Sequence, residues 1–112
     1  MLPIELFKAL SDLTRLQCLL LIQQEQELCV CELMAALDLS QPKISRHLAL
    51  LREADLLAAE RRGQWIYYRL SPVLEDWILT ILEQASLQHD LTELSHRLTI
   101  MGDRPERQSQ CC

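Results

Sequence analysis

The chain has 112 residues, of which 49% are apolar, and it carries a formal net charge of −5. This length fits a single domain, and no apolar run is long enough to span a membrane. The start of the chain lacks the basic and apolar segments of a secretory signal peptide, so we expect a cytoplasmic protein. Reducing conditions there would keep the five cysteines as thiols, and their odd number argues against a framework built only from disulfide bonds.

The charge is distributed unevenly along the sequence. Residues 43–69 carry six basic and three acidic side chains, a net charge of +3, which leaves −8 for the rest of the chain. A basic region on an acidic body is compatible with contacts to nucleic-acid phosphates. Ordinary scatter of surface charge is the alternative interpretation.

Apolar residues at helical spacing predict three helices in the first third of the chain. Pro3 suits the first turn of a short first helix, and Ser11 or Asp12 can cap the second. Cys18 lies among leucines in the second helix, so we expect it to be a core residue. A third helix is predicted from Val30 to Leu37, after a short extended piece.

A fourth helix follows a short connection. Ser40 can cap it, and Pro42 is tolerated in its first turn. Ile44, Leu48 and Leu51 form its inward-facing stripe. Two helices joined by a short turn are typical of a helix-turn-helix, in which the second helix reads DNA.

Two strands are predicted next, from Leu56 to Glu60 and from Trp65 to Leu70, with Gly63 supplying the permissive backbone of the turn between them. The tip of this hairpin is basic. A helix-turn-helix followed by such a wing predicts a winged helix-turn-helix, a mainly α fold with a β-hairpin.

A long last helix is predicted from Ser71–Pro72 to about Ile100. It carries more apolar surface than an exposed terminal helix should show, which indicates a partner. Residues 101–112 are expected to form a polar, flexible tail that ends in Cys111 and Cys112. The chain therefore divides into a folded domain, residues 1–100, and a tail, residues 101–112.

The start of the fourth helix and the tip of the wing are the candidate DNA-binding elements. Glutamine side chains can pair with adenine, and arginine or lysine side chains with guanine or phosphate. The candidate DNA-binding residues are Ser40, Gln41, Lys43, Ser45, Arg46 and His47 on the fourth helix and Arg61, Arg62 and Gln64 on the wing.

Two cysteines one residue apart open the third helix. Cys29 and Cys31 would point apart on a regular helix but share a face in extended chain, and they straddle the junction between the two conformations. Soft ions prefer thiolate sulfur, and a helix N-terminus favours the thiolate form. One ion bound by both sulfurs would fix or distort the first helical turn. The alternative is a pair of small buried residues.

Four segments taken together resemble a known family. They are LFKALSDLTR (6–15), ELCVCEL (27–33), SQPKISRHLALLR (40–52) and GQWIYYRL (63–70), and they are similar to those of the ArsR/SmtB metalloregulatory repressors, especially the arsenic-responsive ones. The resemblance implies a homodimer joined by the first and last helices. It also implies that the apo dimer binds double-stranded operator DNA and is released when trivalent arsenic or antimony binds cysteine thiolates.

One position departs from that family pattern. Many arsenic sensors carry a third cysteine three residues after the second, whereas this chain has Met34 there. A thioether cannot replace a thiolate on trivalent arsenic, so Cys111 or Cys112, from the same or the other subunit, is the candidate third ligand beside Cys29 and Cys31. A methylated trivalent arsenic would need only two thiolates. A tail without a role is the alternative.

Two other functions compete with arsenic sensing. A repressor of the same fold could sense oxidants or persulfides through a reversible thiol pair. A thiol oxidoreductase or metal-transfer protein is a less favoured alternative, because the chain lacks a thioredoxin-like Cys-x-x-Cys and the basic hairpin would have no role. No constellation of nucleophile and base suggests an enzyme. His89, Glu93 and His96 could hold zinc, but we favour exposed residues of a helix face.

Overall fold

The computed structural model describes residues 1–105. Within this range the chain forms six helices and one three-stranded sheet. The elements are α1 (Pro3–Leu10), α2 (Leu13–Glu25), β1 (Leu28–Cys29), α3 (Val30–Leu37), α4 (Gln41–Glu53), β2 (Leu57–Arg62), β3 (Trp65–Leu70), α5 (Asp76–Gln88) and α6 (Thr92–Thr99). None of the helices in residues 1–105 is long and apolar enough to cross a lipid bilayer.

The predicted helix-turn-helix is confirmed. Helix α3 has the predicted bounds, and α4 follows Ser40, whose side chain makes no capping hydrogen bond. Ile44, Leu48 and Leu51 are fully buried, as their spacing predicts. Helix α4 is therefore anchored by one apolar stripe, and its opposite face is left to solvent.

Helix α2 forms the centre of the core. Asp12 caps it by accepting the backbone N–H of Arg15 at 3.0 Å, and residues 18–22 are all fully buried. Cys18 is a core residue, as predicted, and burial raises the pKa of its thiol to about 12. A thiol held in this protonated state is a poor ligand for a soft ion.

The sheet has one strand more than the predicted hairpin. Strands β2 and β3 pair antiparallel around a turn in which Gly63 has a left-handed backbone, with φ of 62°. Strand β1 pairs with the other edge of β3, so that Cys29 lies opposite Tyr67 and Leu28 opposite Tyr68. This pairing joins the start of α3 directly to the wing.

The prediction of one long last helix from Ser71–Pro72 to Ile100 is wrong. Helix α5 begins only at Asp76, and residues 89–91 separate it from α6. The Asp90 carboxylate accepts the backbone N–H of Thr92 at 2.9 Å, a local bond that competes with helix continuation. The helical spacing of the apolar residues continues through the break, which is why periodicity alone could not show it.

Helix α6 turns back and packs against α3 of its own chain. Leu91, Leu94 and Leu98 are buried in the same core as the helices of residues 1–53. Large apolar side chains remain exposed elsewhere, among them Ile4, Phe7 and Leu13 at the start of the chain and Leu87 near the end of α5.

Beyond α6, the chain continues to contact the folded domain. Arg104 forms ion pairs with Glu25 and Glu32, and Pro105 is buried. The first residues of the predicted tail therefore lie against the folded body, while the division at residue 100 stays a prediction. The predicted ligands Cys111 and Cys112 lie outside the described residues.

Candidate thiol site and DNA interface

The two cysteines of the CVC segment meet at the start of α3. The Sγ atoms of Cys29 and Cys31 are 2.8 Å apart, which is closer than an ordinary contact between two thiols and longer than the roughly 2.05 Å of a disulfide. Cys29 has an extended backbone and Cys31 lies in the first helical turn. The junction turns both side chains to one side, so a single soft ion could contact both sulfurs.

A buried carboxylate fixes this junction. Glu32 is fully buried, and its Oε1 accepts the backbone N–H of Cys29 at 3.0 Å. Its Oε2 accepts the Nε–H of Arg104 at 2.8 Å. Arg104 also donates to Glu25 at 2.8 Å, so the segment that follows α6 is tied to both ends of the α2–α3 connection.

Sequence reasoning missed this arrangement. Glutamate three residues after a helix cap is the signature of a capping box, and that spacing in Cys29–Glu32 could have indicated the role of Glu32. Nothing in the sequence indicates Arg104 as its partner, because 72 residues separate the two.

Both cysteines pack against the wing. Cys29 and Tyr67 form a small buried cluster, with Cys31 and Trp65 packed against it. The cluster is separate from the main core of the domain. Any ligand that moves either sulfur therefore acts on side chains of β3, one of the two strands of the wing.

Ion pairs of Arg62 add to the contact between the wing and the segment that precedes α3, closer to the tip of the wing. The guanidinium of Arg62 lies 4.6 Å from the ring centroid of Tyr67 and donates two hydrogen bonds to Glu27, at 2.8 and 2.7 Å. It also donates to Glu60 at 3.2 Å. The hydrogen bond from Arg62 lowers the pKa of Glu60, because it stabilises the charged carboxylate.

The candidate DNA-binding residues of α4 have different surroundings. Lys43 and Arg46 are exposed. Gln41 donates to the Ser45 hydroxyl at 2.7 Å, which orients its amide. His47 is half-buried, with its Nδ1 atom 4.0 Å from a carboxylate oxygen of the helix cap of α2.

The wing residues also differ from one another. Arg61 and Gln64 are exposed near the tip, and Arg61 donates to the carbonyl of Gly63 at 3.1 Å. Arg62 is half-buried and is held by its ion pairs with acidic side chains. Of the two adjacent arginines, Arg61 is thus the one presented to solvent, and DNA contact by either stays a prediction.

The described residues hold no third metal ligand beside the two thiols. Among residues 1–105, no group of three or more His, Cys, Asp or Glu side chains is placed to hold a metal ion. His89 lies between α5 and α6, with its Nε2 atom 3.3 Å from the amide nitrogen of Gln17, and Glu93 pairs with Arg97. These contacts favour structural roles for His89 and Glu93, two of the three residues considered as a zinc site.

A helix-turn-helix carried on an α-helical body with a two-stranded wing defines a class of DNA-binding transcriptional regulators. Residues 12–59 match the family model described as a bacterial regulatory protein of the arsR family. The chain is 52% identical to the arsenic resistance transcriptional regulator ArsR2 of Pseudomonas putida, over 98% of this chain and 97% of that protein. It is 56% identical to the arsenical resistance operon repressor of Escherichia coli K12, over 76% of this chain and 73% of that protein.

Solved structures show the same fold. Reduced HlyU from Vibrio cholerae matches with a TM-score of 0.68 and 32% identity, covering 77% of this chain and 86% of that one. The antimony-specific transcriptional repressor AntR matches with a TM-score of 0.65 and 32% identity, over 76% of this chain and 74% of that one. The chain belongs to the ArsR family of transcriptional regulators. These relatives are regulators rather than enzymes, which confirms the prediction that the chain is not an enzyme.

We expect Arg104→Ala to lower the free energy of unfolding by about 2 kcal/mol, because a fully buried carboxylate loses a charged hydrogen-bond donor. Urea unfolding measures the change. Adding Glu32→Gln should restore part of the loss, since the amide keeps an acceptor for the Cys29 N–H without the charge. Equal stability of the single and double variants would contradict this role of Arg104.

Proposed function

We propose that this protein is an arsenic-responsive transcriptional repressor. Without inducer it binds operator DNA as a dimer, and trivalent arsenic or antimony bound at Cys29 and Cys31 releases it. The observation that carries the proposal is the 2.8 Å approach of the two sulfurs at the start of α3, the helix that packs against α4. The names of the arsenic-resistance relatives and of the antimony-specific structure support the choice of inducer.

The proposed dimer uses the first helix and α5. Ile4, Phe7 and Leu87 are 69%, 51% and 74% exposed, and side chains of this size and chemistry favour burial against a partner. Helix α6 is occupied by its own subunit, so α5 is the part of the predicted last helix that remains for the interface. A two-fold dimer would place its two α4 helices in successive major grooves.

Ligand binding would act on the DNA-binding elements by two short routes. Each sulfur that bonds to arsenic gives up its proton to a hydroxyl of arsenous acid, which leaves as water, and the 2.8 Å contact between the two thiols is replaced by two bonds to one atom. Cys29 would transmit the change to Tyr67 across the β1–β3 pairing, and Cys31 to Trp65. The wing would then change its position relative to α4.

The third sulfur is proposed to come from the end of the chain. Arg104 hydrogen-bonds to Glu32, within the first turn of α3, so the chain leaves the described domain close to the thiol pair. Cys111 follows Arg104 by seven positions, a reach of up to about 24 Å. The entropy cost of closing so short a tether is small, and this path favours the same subunit's Cys111 or Cys112 as the ligand.

A redox-sensing repressor is the second candidate. The contact between the two sulfurs favours oxidation to a disulfide as well as ion binding, and one similar structure is described as the reduced form of its protein. DNA release should be compared for trivalent arsenic under reducing conditions and for peroxide without reductant. Release by peroxide alone would favour this candidate over arsenic sensing.

We expect Cys29→Ser and Cys31→Ser each to retain DNA binding and to lose release by trivalent arsenic. A serine hydroxyl is nearly isosteric with the thiol but is a poor ligand for a soft centre. Fluorescence anisotropy of labelled operator DNA, titrated with arsenite, measures the response. Cys18→Ala is the matched control and should retain the response, while release of either serine variant at the wild-type arsenite concentration would refute the site.

Lys43→Ala and Arg61→Ala should weaken DNA binding without unfolding the protein. Removal of one phosphate-binding side chain should reduce the slope of log K against log salt by about one. Arg52→Ala is the matched control, because it removes the same charge from the last turn of α4. A slope that is unchanged in both test variants would show that neither side chain binds the DNA backbone.

A chain truncated after Gln110 should bind arsenite more weakly and a methylated trivalent arsenic about as well as the full chain. Arsenite accepts three thiolates, whereas the methylated form accepts only the two that Cys29 and Cys31 supply. Affinities measured on both chains for both arsenicals test this. Equal arsenite affinity with and without the terminal cysteines would argue instead for a two-thiolate site completed by another ligand.

A further inference from the structure

A cavity of about 280 Å³ lies beside Cys31, between α3, the start of α4 and β3. Met34 lines it from α3, and Trp65 and Ile66 line it from the wing. Gln41 and Ser45 of α4 also line it. Cys31 thus lies in the wall of a mostly apolar space that is bounded by both proposed DNA-binding elements.

The chemistry of the thiol pair indicates what could occupy this space. A monosubstituted trivalent arsenical has two exchangeable hydroxyls and one organic group on a carbon–arsenic bond that does not exchange. Reaction with Cys29 and Cys31 forms two arsenic–sulfur bonds, breaks two arsenic–oxygen bonds and releases two waters, with no change of oxidation state. The third position on arsenic then carries the organic group.

We propose that the cavity holds the organic group of a monoalkyl or monoaryl trivalent arsenical bound at Cys29 and Cys31. The proposal rests on the proposed function and names a ligand class for the same site. Met34 would be the main contact on α3, because a thioether packs favourably against apolar and aromatic groups without competing for the third position on arsenic.

The size of the cavity suits an aromatic group. An apolar protein cavity of roughly 150 Å³ can hold benzene, so 280 Å³ leaves room for a phenyl ring. A methyl group would fill only a small part of the space.

Occupation of the cavity would also act on DNA binding. Gln41 and Ser45 lie in the cavity wall and are hydrogen-bonded to each other, and both are among the candidate DNA-binding residues. A substituent that reaches them would change the position or the freedom of these side chains of α4. A larger organic group should therefore release DNA at lower occupancy than a methyl group.

The test compares phenylarsine oxide, methylarsonous acid and arsenite on the full-length protein, with a phosphine reductant because thiol reductants bind arsenic. Met34→Trp and, separately, Ile66→Trp should fill the cavity from opposite walls. Each should lower the affinity for the phenyl compound relative to the methyl compound by about tenfold, the value expected when a ring is no longer buried. Met34→Leu keeps the volume and is the matched control.

The ratio of the affinity for the phenyl compound to that for the methyl compound tests the cavity assignment independently of the thiol site. An unchanged ratio in both tryptophan variants, each shown to be folded by its unfolding transition, would overturn the cavity assignment and leave the thiol site intact. Binding of all three arsenicals that is unaffected by Cys29→Ser and Cys31→Ser would overturn the proposed function together with the cavity assignment. A reduced ratio in either folded variant supports the cavity as the site of the organic group.

Discussion

The buried carboxylate of Glu32 is the constraint around which this end of the domain is organised. A buried charge is tolerated only when hydrogen bonds and an opposite charge compensate it, and here the Cys29 N–H and Arg104 do so. Arg104 can reach Glu32 only because the chain returns across α3 after α5. The break at residues 89–91 is therefore required by the same arrangement that fixes the thiol pair, since an unbroken last helix would carry Arg104 away from it.

The position of the thiol pair also places the two sulfurs close to the proposed DNA-binding elements. Two residues of β1 join the wing sheet, and one of them is Cys29. The other cysteine lies beside the cavity that Gln41 and Ser45 help to line. A ligand at this position would need no long-range change of the fold. Side chains of the wing pack against the two cysteines, and side chains of α4 line the cavity beside Cys31.

Periodicity and capping were sufficient to predict the first four helices and the hairpin, because each is defined by residues close together in sequence. The sequence indicated extended chain at Leu28, but the pairing of this residue with Tyr68 depends on a strand 40 positions further along. The break at Asp90 was missed because the apolar spacing continues through it, and only the side-chain bond to Thr92 marks it. The proximity of the two cysteines was predicted from their spacing, and their role as ligands from the family resemblance, whereas the contact of Arg104 with Glu32 depends on tertiary structure.

The distance in sequence between Glu32 and Arg104 also affects how the protein is made. During translation Glu32 is synthesised 72 residues before its ion-pair partner, an interval of roughly 4 to 14 seconds at ordinary elongation rates. The helix-turn-helix and the wing are therefore already synthesised when Glu32 receives its arginine. The ion pair that supports the start of α3 cannot form until the sequence of both proposed DNA-binding elements has been made.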